Sequence, residues 1–395
     1  MNERINTPIS MVELNRRWGA IRAAMKEAKV DVLITQANND FVGGYVKYLT
    51  DMPATNGYYY TVIFPQEGEL SAVAQGPFGQ DEIFDRPDAT PRRGVQRLIG
   101  VPSYASVHYA STYDAECALK ALGKYNGATI GLLGSGSISH AFVAFLQKHL
   151  TKSTFVEASH LVDPIKAIKS AEEIFLIRKM TALQDACAEA VTKNIRPGLR
   201  DSEVVEIART VATQLGSEQG WYMAASGPVG TPAVMQPPHM QNRVLREGDQ
   251  FCLLIENSGP GGFYGEIGRT WVLGNASQEM KDEFAFVLEA QKFTLELLKP
   301  GANPADIFAR YNDFMRAGGR PQENRLYAHG QGYDMVERPL IRHDETLKVG
   351  PNMLFAVHPT YVTHSSFCWV CDNYLVHHSG DVESLHKFPQ RITEL

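Results

Sequence analysis

The stretch IENSGPGGFYGEIGRT, residues 255–270, sets two glutamates, Glu256 and Glu266, at either end of a glycine-rich segment. Glu256 follows the apolar run FCLLI, where burial is expected, and a buried carboxyl must be paired, hydrogen-bonded or neutralised. Further along, His329 stands in YAHGQGYD, His358 follows MLFAV, and Cys371 opens CDNYLV; upstream, His239 lies in QPPHMQNRVLREGD. An imidazole near neutral pH can take a proton from water and return it to a leaving nitrogen. Two carboxyls in unlike surroundings can divide acid and base roles between them. The same collection of Glu, His and Cys is also competent to hold one Zn or Fe ion. Each residue alone has a plainer reading: His239 as a loop residue, His329 as a turn residue among glycines, Glu266 as a strand-edge charge paired with Arg269, and Cys371 as a small buried hydrophobe.

The elements that must position these groups are legible as pattern. Leu14, Trp18, Ile21 and Met25 recur at helical spacing, and VDVLIT follows as a buried strand. YYYTVIF, a turn at Pro65–Gly68 and LSAVAQ read as a hairpin; ATIGLLG is a further strand before the helix FVAFLQKHL. This alternation predicts one α/β domain over residues 1–163, with a second domain over 164–395. GLLGSGS lacks the spacing of a phosphate-binding loop. The second domain opens on a long helix with Ser170 as N-cap and a stop at Arg196-Pro197-Gly198. IRPGLRDSEVVEIA is echoed by LKPGANPADIFARY, each closing one helix and starting another, capped by Asp201 or Asn303, which predicts two related α/β halves.

A net charge of -6 over 395 residues, with Lys and Arg scattered, gives no footprint for nucleic acid or an anionic membrane surface. No apolar run reaches bilayer-spanning length, and MNERINTPIS lacks a signal-peptide layout, so the expected address is cytoplasmic. Five cysteines form no disulfide framework. Cys368 and Cys371 make a C-x-x-C within a run read as one strand, where positions three apart face opposite ways and cannot share a metal.

The order of these segments resembles the pita-bread family, which includes methionine aminopeptidase, Xaa-Pro aminopeptidase and creatinase. The resemblance rests on Gly248-Asp249 before the apolar strand, Gly262 to Glu266 with Arg269-Thr270, His329-Gly330-Gln331-Gly332, Gly350 to Met353 with Val357-His358-Pro359, Cys371-Asp372-Asn373, and the internal duplication. It implies a creatinase-like N-terminal α/β domain and a pita-bread catalytic domain with pseudo-two-fold halves. The family's five metal ligands, Asp, Asp, His, Glu and Glu, fall here on Glu256 (with Asn257 as rival), Glu266, His329, His358 and Cys371. Both bridging carboxylates are lost, so the resemblance implies no dimetal site. The expectation is then a metal-free, creatinase-like hydrolase without cofactor, acting on a non-peptide C–N bond of a small molecule. His239, Glu256 and Glu266 would be catalytic, and Tyr264, His329, His358, Cys371 and Tyr58, the last from the ATNGYYY segment, would bind substrate. The family arrangement implies a homodimer with the active site near the subunit interface. The alternatives are elimination of the dimethylsulfoniopropionate-cleaving type, a single-metal Xaa-Pro-peptidase-like hydrolase, and a binding module derived from an enzyme.

Overall fold

The apolar stripe Leu14, Trp18, Ile21 and Met25 forms the buried face of helix α1 (Met11–Ala28), whose first turn is closed by the Ser10 side chain accepting from the Glu13 amide. In the computed structural model, which describes residues 7–86 and 92–395, the chain divides into two compact units, Met1–Lys166 and Ala167–Leu395. The opening residues read above for a leader, 1–6, lie outside the described residues.

The first unit is built on a seven-stranded mixed sheet of β1 (Val32–Ala37), β2 (Tyr60–Pro65), β3 (Leu70–Gln75), β4 (Asp81–Ile83), β5 (Val95–Val101), β6 (Thr129–Leu133) and β7 (Thr154–Glu157), in the order β4-β5-β3-β2-β1-β6-β7. The expected hairpin is β2 with β3, antiparallel. Helices α2 (Gly44–Thr50), α3 (Tyr113–Leu122) and α4 (His140–His149) complete it, and α5 (Ser159–Ala167) ends at the boundary.

The second unit repeats one plan twice. Helices α6 (Ala171–Asn194) and α7 (Asp201–Gln214) precede an antiparallel sheet of β8 (Gly220–Pro228), β9 (Asp249–Ser258) and β10 (Tyr264–Val272). Then α8 (Gln278–Leu297) and α9 (Pro304–Ala317) precede a sheet containing β11 (Ala328–Gly330), β12 (Glu337–Leu340) and β13 (Leu354–Val357). A ribbon of β14 (Thr360–Val362) and β15 (Phe367–Trp369) follows. Next, β16 (Asp372–Val376) and β17 (Val382–Ser384) extend the second sheet, and β18 (Thr393–Glu394) returns to pair with β10. Each half buries its own core: Leu183, Val204, Phe251 and Trp271 in the first, Val287, Tyr311, Phe355 and Val376 in the second.

Local signals explain most element ends. Ser170 and Glu173 form a reciprocal capping box on α6, and Asn303 accepts from the Ala305 amide at the start of α9. The other expected cap is displaced: Arg200 is the N-cap of α7 and Asp201 its first helical residue. The C-x-x-C is not one strand either. Cys368 lies in β15, whereas Cys371 sits just before β16, joined to Gly268 of β10 through an isolated bridge. No helix among the described residues is long and apolar enough to cross a membrane.

The β9–β10 hairpin turns through Gly261 and Gly262, both at positive φ (86° and 84°), where a side chain would be strained. Farther along β10, the Trp369 ring lies against the backbone of Gly268, and a Cβ there would fall 2.0 Å from Trp369 Cζ3. The ring is buried and rigid, so Gly268→Ala is expected to cost about 1–3 kcal/mol by overpacking. Urea unfolding followed by tryptophan fluorescence measures this; an unchanged midpoint would contradict the packing described.

Candidate active site

Antiparallel register does the first work. Glu266 of β10 stands directly opposite Glu256 of β9, and Trp221 of β8 stands opposite Glu256 on its other side. Because side chains alternate along a strand, Glu256 shares its face with Leu254 while the intervening residues point the other way. Asn257, the rival for the first position, is on that other face: its Oδ1 accepts from Gln184 Nε2 (2.9 Å) and its Nδ2 donates to Ser217 Oγ (2.8 Å). Glu256 and Glu266 instead line a cavity of about 530 Å³, with His329, His358, Glu323, Arg325 and Thr360 as its other polar groups.

The second half supplies the imidazoles. His329 is held in β11, and its Nδ1 lies 2.9 Å from the carbonyl of Gly330. A carbonyl only accepts, so Nδ1 carries a proton and Nε2 is the nitrogen left to face Glu266 Oε2, 3.5 Å away. His358 follows β13, its backbone amide bonded to the Tyr327 carbonyl (2.8 Å), and its ring centroid lies 5.2 Å from that of His329. Donor atoms of Glu266, His329 and His358 all fall within 4.8 Å of one another.

Electrostatics separate the two carboxyls. Burial, then the neighbouring Glu266 charge, pushes Glu256 well above the usual carboxylate range, with Arg325 opposing. Burial presses Glu266 upward as well, but the His329 and His358 imidazoles outweigh it and hold this carboxyl below its ordinary value. Burial also lowers His358, against the pull of Glu266. Glu266 Oε2 is buried with no hydrogen-bond partner among the described residues. Glu266 Oε2, buried and orphaned, therefore faces His329 Nε2 across a gap of 3.5 Å, a geometry that calls for a cation or a proton between them. Two imidazoles and a carboxylate are, moreover, the donor set of catalytic zinc sites that keep a further position open.

The remaining expected residues are elsewhere. His239 is exposed on a short 3-10 turn, Pro238–Met240, and is not part of the cavity wall; Met235 from the same segment is. Tyr264 is buried in β10 with its amide on the Gly332 carbonyl, outside the lining. Cys371 is fully buried in an apolar cluster, its Sγ 3.8 Å from the Glu266 backbone oxygen. Tyr58 belongs to the first unit, where its exposed ring meets Tyr104. Conversely, Trp221, Trp369, Met223 and Arg325 line the cavity and were not singled out in the sequence. Trp221 and Met223 could have been found from alternation, since they oppose Glu256 and Leu254 on β8.

The sequence profile of Metallopeptidase family M24 matches residues 176–378, more than half the chain. The chain belongs to metallopeptidase family M24. An uncharacterized hydrolase/peptidase of Sinorhizobium fredii is 26% identical over 367 residues, covering 87% of this chain and 86% of that relative. The probable dipeptidase PepE of Mycobacterium tuberculosis is 26% identical over 207 residues; the match spans 52% of this chain and about half, 54%, of the relative. In fold, the M24 chain is similar to the prolidase of Thermococcus sibiricus, with a TM-score of 0.79 at 17% identity over 98% of this chain and 100% of that one. The pita-bread reading therefore holds. The metal-free, creatinase-like reading without cofactor does not: the family is one of metallopeptidases, its relatives are named peptidases and dipeptidases, and three metal-competent side chains of this M24 member converge. A hydrolase specialised for non-peptide C–N bonds is withdrawn with it.

All five cysteines are free and buried, and burial pushes Cys187 and Cys368 up to about 12 and Cys252 to about 11. Native protein is therefore expected to show no rapidly reacting thiol with an aromatic disulfide reagent, and all five after denaturation. Cys371→Ala is expected to leave KM within about twofold, as befits a packing residue. A tenfold rise in KM would place the thiol in the binding surface after all.

Proposed function

We propose that this M24 member is a single-metal, peptidase-type hydrolase of small peptides, with Glu266, His329 and His358 as the metal-holding side chains. The observation that carries the reading is the convergence of those three donor sets within 4.8 Å at the floor of the cavity, with Glu266 Oε2 otherwise unpartnered. Zinc suits this donor set best, with iron as the other candidate. A divalent ion bound there would polarise a carbonyl and lower the pKa of water to about 7.

The chain's own groups do the rest. His329 is fixed in one tautomer by the Gly330 carbonyl, so Nε2 is presented without rotation of the ring. Glu256, facing Glu266 across the strand pair, is the proton carrier: it takes the proton from the attacking water and returns it to the leaving nitrogen as the peptide C–N bond breaks. Gln331, fully buried, lies with Nε2 3.5 Å from Glu256 Oε1 and limits where that carboxyl can swing. The wall of Trp221, Met223 and Trp369 keeps bulk water from the floor.

Elemental analysis of protein purified without chelators is expected to give about one equivalent of zinc or iron. His329→Ala and Glu266→Ala should lose it while the circular dichroism spectrum is retained. Glu256→Gln should keep the metal and lose roughly 10²–10⁴ in kcat on a dipeptide substrate. Two equivalents, or dipeptide hydrolysis that survives complete metal removal, would overturn this reading.

A further inference from the structure

Behind the cavity floor, the Glu256 carboxyl is the last member of a buried hydrogen-bonded row. Gln331 Nε2 lies 3.5 Å from Glu256 Oε1, and Gln331 Oε1 accepts from Asn373 Nδ2 (2.7 Å). Asn373 Oδ1 then faces His386 Nε2 (3.4 Å), and His386 Nδ1 meets Asp185 Oδ1 (3.1 Å). All five side chains are buried, Gln331 and Asn373 completely, and only Glu256 lines the cavity. The row runs from β9 past the end of β11, through β16 and the stretch between β17 and β18, to helix α6. Among the described residues the Gln331 side chain is the single hydrogen-bond partner of the Glu256 carboxyl.

The direction of the row is fixed at one point. The Glu266 amide donates to Asn373 Oδ1 (2.7 Å), so Asn373 presents its carbonyl there and its NH2 to Gln331. Gln331 in turn gives its carbonyl to Asn373 and its NH2 to Glu256 and the Met335 carbonyl (3.1 Å). At the far end the two ring nitrogens of His386 each face an oxygen that accepts, so the ring donates on both sides. Burial presses Asp185 upward, but the bond to His386 and its positive charge outweigh it and hold this carboxyl below its ordinary value. The amides of Lys387 (2.7 Å) and Phe388 (3.2 Å) anchor the same carboxylate. The row therefore starts on a fixed ion pair and ends on an N–H directed at Glu256.

We propose that His386 is a positioning residue for the reaction: it locks the Asn373 amide and, through Gln331, holds the Glu256 carboxyl where it passes a proton between water and the leaving nitrogen. The proposal rests on the peptidase reading for the role of Glu256, but the placement of that carboxyl can be observed without turnover. A flipped Asn373 would set its NH2 against the N–H of His386 and the Glu266 amide, so the ring removes the one alternative that would turn an oxygen of Gln331 toward Glu256.

Two replacements separate this role from that of a structural tie. His386→Gln puts an NH2 near the place of Nε2, keeping the bond to Asn373 and losing Asp185; His386→Asn puts one near Nδ1, keeping Asp185 and losing Asn373. The metal-loaded full chain is assayed on alanyl-phenylalanine. His386→Asn is expected to lower kcat roughly ten- to a hundredfold with KM within about twofold, because nothing in the row behind Glu256 lines the cavity. His386→Gln should stay within about threefold of the parent. In the Glu256→Gln background His386→Asn should cost less than about twofold, since no carboxyl remains to be positioned. Crystal structures should show one Glu256 conformation in the parent and in His386→Gln, and a displaced or divided one in His386→Asn. The reverse order of the two variants makes His386 a tie between this segment and α6 and overturns the proposal. So does an equal loss in both backgrounds, an unmoved Glu256 in His386→Asn, or failure of that variant to fold with its Asp185 bond retained; the peptidase reading then stands on the loss in Glu256→Gln alone. A Glu256 displaced only in His386→Asn, with the dipeptide hydrolysed by none of the proteins, upholds the positioning and overturns the peptidase reading.

Discussion

Two carboxyls directly opposed on neighbouring antiparallel strands, both buried, are the condition to which the rest of the second unit answers. Like charges so placed repel, and burial removes the water that would screen them. The fold resolves this by making their surroundings unequal: Glu266 receives two imidazoles, and Glu256 is left to an apolar wall and a distant guanidinium. The strands of the first half carry no histidine, and His239 lies on an exposed turn, so the arrangement requires the second half to be docked in register. That docking is specified by buried polar contacts. Arg269 of β10 is bonded through both outer nitrogens to Asp372 of β16, Gly268 bridges Cys371, and Asn373 Oδ1 accepts from the Glu266 amide while its Nδ2 reaches Gln331. Unpairing any of these in a dry interior is costly, which is how a shallow preference for one alignment becomes a strong one.

The fold brings together only part of the five positions inferred from the family. Three of the five converge, Glu256 sits alongside, and Cys371 is turned away with its sulfur on a backbone oxygen. A thiol is shorter than a glutamate side chain, so at this backbone position it ends within the sheet packing and cannot reach the floor. His358, by contrast, is long enough to span from the end of β13 to Glu266. Replacing two acidic side chains by an imidazole and a buried thiol removes from the floor the negative charge that balances two cations in a dinuclear site.

Much of the fold was legible because its signals are local. The α6 capping box, the Asn303 cap, the β2–β3 hairpin and the repeated helix stops all lie within a few residues of what they control. Asp201 was displaced by one position because Arg200 already has the extended conformation of a cap. The C-x-x-C was misplaced because the break between β15 and β16 comes from the cross-sheet bridge at Gly268, which no local pattern announces. The floor residues were legible as polar interruptions of buried strands. His239 was not, because chemical type and chain order alone do not reveal that Pro237 and Pro238 carry it outward, to an exposed turn. Arg325 was missed for the opposite reason: an arginine in a polar loop looks like a solvated charge until the cavity beside it is known.

The two sides of this cavity differ in compliance. Behind Glu266, a Cβ on Gly265 would come within 1.9 Å of Met180 Sδ and 2.8 Å of Asn373 Oδ1, so helix α6 and strand β16 clamp the strand that carries the reacting groups. The opposite rim is irregular chain, residues 229–237 and 320–327, joined to the floor at its ends and exposed over much of its length. Substitutions on the clamped side cost stability, whereas those at exposed rim positions such as Val234 and Arg325 cost little. A lineage descended from this scaffold is therefore free to change its substrates by drift at the rim while its chemistry stays fixed.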